Sequence, residues 1–97
     1  MTNSTYTVPS TEEVAAGAAE IVREIMAGGA AKHGAHIWFS EETVRHHTDR
    51  VARHLMTAMM IRDGNQPIID DEDTLDHLER AVVRLLFAIH KVKAGHH

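Results

Sequence analysis

Leu75, Leu78, Val82, Leu85, Leu86, Ile89 and Val92 share one face if their segment is helical and no common face if it is a strand. Two earlier segments repeat this spacing. Val14, Ala18, Ile21, Val22 and Ile25 step by four, three, one and three. Val44, Val51, Leu55, Ala58 and Met59 form a second stripe. No stretch alternates with a period of two, and Pro67-Ile68-Ile69 is too short for a useful strand. The expected fold is therefore all-α, a small antiparallel bundle of about three helices.

Local signals set the expected boundaries. Ser10 and Glu13 form a capping box, so a first helix is expected over 11–27, ended by Gly28-Gly29. Residues 28–39, rich in Gly, Ala and His, read as a non-helical connection. Ser40 is the expected cap of a second helix over 41–62, with Glu41 and Glu42 in its first turn. Gly64, Asn65 and Pro67 stop it. A third helix is expected over 74–93, with Gly95 as its stop. Residues 1–10 read as a flexible arm, 11–95 as one helical domain, and His96-His97 as a possible tag remnant.

A chain of 97 residues fits one domain, and three stripes on so thin a bundle make a small core. With no cysteine to form disulfides, a homo-oligomer is the expected remedy, and the reducing cytoplasm is the expected compartment. If the chain is phage-encoded, that compartment is the host cell's. The net charge of −4 argues against a nucleic-acid partner held by phosphate neutralisation. No segment has the length of a membrane span, and residues 1–10 lack a signal peptide's basic start and apolar core.

Chemistry-bearing residues concentrate in three groups. Asp70, Asp71, Glu72, Asp73, Asp76 and Glu79 crowd a helix start, more negative charge than capping requires. A divalent cation would neutralise them, and a solvated acidic helix start is the plainer alternative. An EF-hand is excluded, because Pro67 and Ile68 follow Asp63 and Asn65 where an oxygen ligand and Gly are needed. His47 and His54 lie on one flank of the second helix, and His77 lies in the first turn of the third. Antiparallel packing would bring His54 and His77 together near the acids. Lys32, Arg50, Arg53, Arg80 and Arg84 are suited to phosphates, with surface ion pairing as the alternative. By helical angle Arg80 and Arg84 lie opposite the stripe of the third helix, and so in solvent in a monomer. Trp38, beside Phe39, reads as core or as a base-stacking platform. There is no P-loop, no H-E-x-x-H and no activated nucleophile.

Two motifs resemble a family. Gly29, Ala30, Lys32, Gly34 and Trp38 match a Gly-Ala-x-Lys-Tyr-Gly-x-x-Asn-Trp pattern, with His33 at its Tyr and Ile37 at its Asn. Arg53-His54-Leu55, Gly64, and then Asp70, Glu72, His77 and Leu78 match its second half, with Asp73 and Thr74 replacing Ser and Gly. This arrangement, over about residues 28–90, resembles the N-terminal domain of phage dATP/dGTP diphosphohydrolases. The resemblance implies a MazG-like nucleotide pyrophosphohydrolase, splitting a purine deoxynucleoside triphosphate into monophosphate and pyrophosphate. It implies Asp70, Glu72 and Asp73 as metal ligands for Mg²⁺ or Mn²⁺. It further implies His54 and His77 as catalytic groups and Lys32 and Arg53 as phosphate contacts; Trp38 and Arg80, read from the residues themselves, are the other expected substrate contacts. Arg80 stands where the family commonly has a further His. The alternatives are a non-catalytic nucleotide-binding or sequestering protein, and a small oligomeric helical protein that binds a host protein.

Overall fold

A computed structural model describes residues 7–96 of the chain. Most of the arm expected over 1–10, and His97, fall outside those residues. Four helices follow one another: α1 (Thr11–His33), α2 (Ile37–Ser40), α3 (Val44–Arg62) and α4 (Thr74–Lys93). Among the described residues the only β-type pairing is an isolated bridge between Ile69 and Glu72. No helix among them is long and apolar enough to cross a membrane.

The ends of the elements follow from side-chain chemistry. Ser10 accepts from the Glu13 amide while Glu13 accepts from the Ser10 amide, the expected capping box. Asp73 and Asp76 make the equivalent pair at α4, which occupies the expected 74–93. Thr43, not Ser40, caps α3 by accepting from the His46 amide at 3.0 Å. Ser40 instead donates its hydroxyl to the His36 carbonyl inside the short α2. Nor does Gly28-Gly29 end α1, which continues to His33. Each glycine costs a helix about 1 kcal/mol, and Ala27, Ala30 and Ala31 around the pair are the best helix formers. The stop falls at Gly34, whose φ of 98° few L-residues adopt.

Helices α3 and α4 form an antiparallel hairpin. His54 meets His77, and one heptad back along α3 His47 meets Arg84, one heptad on along α4. Small residues (Ala58 on α3, Ala81 and Ala88 on α4) are buried, which lets the two backbones approach closely. The helix α1 lies across α4 and buries none of its own residues. The molecule is therefore spread out, 50 × 35 × 23 Å.

The face of α4 that turns inward is not the expected one. His77, Arg80, Arg84 and Lys91 face the rest of the chain, while Leu75, Leu78, Val82, Leu85, Ile89 and Val92 are exposed. The periodicity set the face correctly but not what covers it. A stripe is apolar because something dry lies against it, and among the described residues this one is only half covered.

Lys91 shows what the inward polar face does. Its buried ammonium donates to the carbonyls of Phe39 at 2.7 Å and Glu42 at 2.6 Å, and lies 5.6 Å from the centre of the Phe39 ring. It thereby ties the end of α2 and the start of α3 to α4. Lys91→Met should keep the stem and leave two carbonyls without a donor, costing about 1–3 kcal/mol. Thermal melts of parent and variant check this, and an unchanged or higher melting temperature would refute it.

Candidate functional site

A cleft of about 520 Å³ opens between the C-terminal half of α1, the α2 segment and the α3–α4 hairpin. Ligand sites commonly fall in this size range. From α1 come Glu24 and Lys32, and from the following turn Gly34 and Trp38. Helix α3 supplies Arg50 and His54, one turn apart, and α4 supplies Arg80, Arg84 and Phe87. Glu42 and Glu72 complete the wall from the two connections.

One buried network positions the α2 side of this cleft. His47 is fully buried. Its Nε2–H donates to the Trp38 carbonyl at 2.9 Å, and its Nδ1 accepts from Arg84 Nη1 at 3.1 Å. That assignment makes the ring a neutral acceptor and donor at once. Arg84 Nη1 also donates to Glu42 Oε1 at 2.7 Å. Burial pushes the Glu42 carboxyl up, but the hydrogen bond and charge of Arg84, with a smaller contribution from His46, more than offset it and hold it low. For His47, burial is the largest effect and holds the imidazole below its usual value.

A second network joins α3 to α4. His54 Nδ1 and His77 Nδ1 are 3.0 Å apart, so one ring donates and the other accepts, and at least one is neutral. Burial lowers the His54 value, and the nearby His77, Arg80, Arg50 and Arg84 lower it further. Glu72 Oε1 lies 3.8 Å from His77 Nε2, and Glu72 Oε2 lies 3.4 Å from Arg80 Nη2. Both separations exceed those of strong charge-assisted bonds.

The structure therefore gathers Lys32, Trp38, His54, Glu72 and Arg80 around one cleft, with His77 directly behind His54. It separates three other candidates from it. Arg53 is exposed, because the residue before His54 is turned by 100° around the helix, and Arg50 lines the cleft in its place. Asp70 is exposed in a tight turn, where it and Asp71 have φ of 56° and 60°. Asp73 spends its carboxylate on the α4 cap. Among the described residues no group of three His, Asp or Glu converges as a ready-made metal cage. The cation count at the cleft is nonetheless high: Lys32, Arg50, Arg80 and Arg84 against Glu24, Glu42 and Glu72. Lys32 and Arg50 have no ion-pair partner among the described residues. Two donors on cleft residues, Trp38 Nε1 and Arg80 Nη1, are buried without an acceptor. Trp38 stacks one face on Phe87, with ring centres 4.2 Å apart and planes 15° apart.

Sequence patterns did not point to Glu24, Glu42 or Phe87. Glu24 carries no motif, and Glu42 reads as a helix-start acid. Phe87 sits between the apolar stripe and the polar face of α4, so periodicity assigns it to neither.

A cleft lined by Lys32, Arg50, Arg80, Arg84 and His54 in an all-helical frame defines the class: a small α-helical protein with a cationic cleft. The chain belongs to the dATP/dGTP diphosphohydrolase N-terminal domain family, whose model matches residues 5–97. Comparison with curated proteins and with solved structures gives no match.

The two depressed histidines set a pH dependence. Each binds its proton more weakly folded than unfolded, so the unfolded chain takes up more protons below the ordinary imidazole value of 6.5. Stability is fully present above that value and is lost as pH falls through it. Melting temperature should drop between pH 7.5 and 5.5, and His54→Gln should make the drop shallower. Identical profiles for parent and variant would show that His54 does not contribute.

Proposed function

We propose that the cleft binds a purine deoxynucleoside triphosphate and hydrolyses it to the monophosphate and pyrophosphate. The observation that carries this reading is the meeting of Lys32, Arg50, Arg80 and His54, from three helices, on one cleft with buried donors left free. Uncompensated buried donors call for acceptor atoms, and phosphate oxygens supply them. The family's name supports the substrate class.

In this reading Lys32, Arg50 and Arg80 hold the phosphates, with Arg80 Nη1 donating to an oxygen. Trp38 offers its Nε1–H and an edge to the base. His54 takes a proton from water. If His77 presents Nε2–H toward Glu72, its Nδ1 accepts from His54 Nδ1–H, and His54 Nε2 is left as the unprotonated nitrogen. Burial keeps that ring neutral and so able to act as a base. The water oxygen attacks the α-phosphorus, the bond from that phosphorus to the α–β bridging oxygen breaks, and pyrophosphate leaves. The cations stabilise the charge on the transferring and leaving oxygens.

A divalent cation, Mg²⁺ or Mn²⁺, fits this cleft as a group shared with the phosphates rather than caged by the protein. Such an ion needs only one or two protein carboxylates, and Glu72 and Glu24 are the carboxylates not tied to Arg84. When bound it would neutralise phosphate charge and acidify water. Asp70 and Asp73 could contribute only if the 69–73 turn rearranged, since one is turned outward and the other is a cap.

The test is a panel of nucleoside triphosphates with Mg²⁺ or Mn²⁺, read by chromatography for monophosphate and pyrophosphate. Lys32→Ala and Arg80→Ala should each weaken nucleotide binding by about 5- to 150-fold, the worth of about 1–3 kcal/mol for a charge-assisted bond. His54→Asn should abolish turnover and leave binding within a few-fold. A parent chain that neither binds nor cleaves any triphosphate would sink the proposal. Arg80, at the family's usual His position, favours a second reading, binding without turnover. Calorimetric binding with no product would identify it.

A further inference from the structure

The outer face of α4 carries a pattern beyond simple amphipathicity. Leu75, Leu78, Val82, Leu85, Ile89 and Val92 are spaced three, four, three, four and three, an unbroken a/d heptad over three repeats. All six are between 42% and 61% exposed. Within one copy this seam faces away from α3 and α1, so packing inside the bundle does not use it. A heptad period is what a second helix demands, because it holds the seam against a partner along its whole length. Leu55 and Met59, exposed on the flank of α3 away from Arg50 and His54, widen the patch.

We infer that this face is the contact between two copies of the chain, with α4 of one lying antiparallel along α4 of the other. Three observations select that occupant. First, the same seam is present on every copy, so a twofold contact matches a residues of one to d residues of the other, with Val82 and Leu85 around the axis. Second, the charges beside the seam are polar along the helix. Glu79 flanks the seam near the start of the helix and Lys93 near its end, both at the e position of the heptad. Antiparallel alignment sets each start beside the other's end, whereas parallel alignment stacks like on like. Glu79 and Lys93 have no ion-pair partner within the chain's described residues. Third, the eight apolar side chains leave roughly 700 Å² exposed per copy, close to the ~800 Å² that each partner of a standard interface buries. The nucleotide cleft lies on the opposite flank of the hairpin, so the pairing leaves it open and stands independently of the proposed activity.

Sedimentation of the full chain at micromolar concentration should give at least twice the mass of one copy. Val82→Glu with Leu85→Glu should halve that mass or more, with an unchanged helical circular dichroism spectrum, since both residues are already exposed. The absence of cysteine allows a direct test of direction. Leu75→Cys mixed with Val92→Cys should cross-link one variant to the other, and neither should cross-link to itself. A parent of monomer mass, a mass the double variant does not change, or self-linked Leu75→Cys would overturn the inference.

Discussion

The imidazole of His47 is the group on which the cleft depends. It has one donor and one acceptor to give, and it gives the donor to the Trp38 carbonyl and the acceptor to Arg84. Both bonds require the neutral ring, and full burial holds it neutral. Through the first bond the α2 segment is fixed against α3. Through the second, Arg84 is aimed at Glu42 and kept from collapsing onto other carboxylates of the cleft. Lys91 repeats the device two turns further along α4, with an ammonium where Arg84 has a guanidinium. The segment around Trp38 is thus held by polar side chains reaching across to backbone carbonyls, since it has no buried apolar residue of its own.

This arrangement inverts the usual division of a helix. In α4 His77, Arg80, Arg84 and Lys91 look into the chain beside the small buried Ala81, Val83 and Ala88, while the large aliphatic residues Leu75, Leu78, Val82, Leu85, Ile89 and Val92 look out. The inward groups are tolerated because each finds a partner: histidine with histidine, arginine with glutamate, lysine with carbonyls. The same inversion brings cations from α3 and α4 to one cleft. An ordinary bundle with aliphatic residues at its centre would have dispersed Arg80 and Arg84 into solvent.

What the sequence made legible follows the range of the interactions involved. The all-helical class, the Ser10 cap and the limits of α4 rest on contacts within one turn, and the residues show them directly. The meeting of His54 with His77 needed only the assumption that neighbouring helices run antiparallel. The extension of α1 through Gly28-Gly29 was not legible, because breaker residues were weighed without the alanines around them. The inward turn of Arg80 and Arg84 was not legible either. Periodicity tells which residues share a face, while the choice of face to bury depends on partners far along the chain, here Glu42 and His47. Arg53 and Arg50 differ for a simpler reason: a motif marks a neighbourhood, and the helical turn decides which member of it points into the cleft.

The absence of any buried residue in α1 has a mechanical meaning. One wall of the cleft, with Glu24 and Lys32, belongs to the helix with the weakest grip on the rest of the fold. The opposite wall, with Arg50, His54 and Arg80, belongs to the tightly packed hairpin. The cleft therefore pairs a wall packed into the hairpin with a wall that rests on it without a buried residue of its own. An anion bridging Lys32 and Arg80 would supply the latch that the apolar contacts of α1 do not, and amide protons of α1 would then exchange at a rate set by the ligand rather than by the fold.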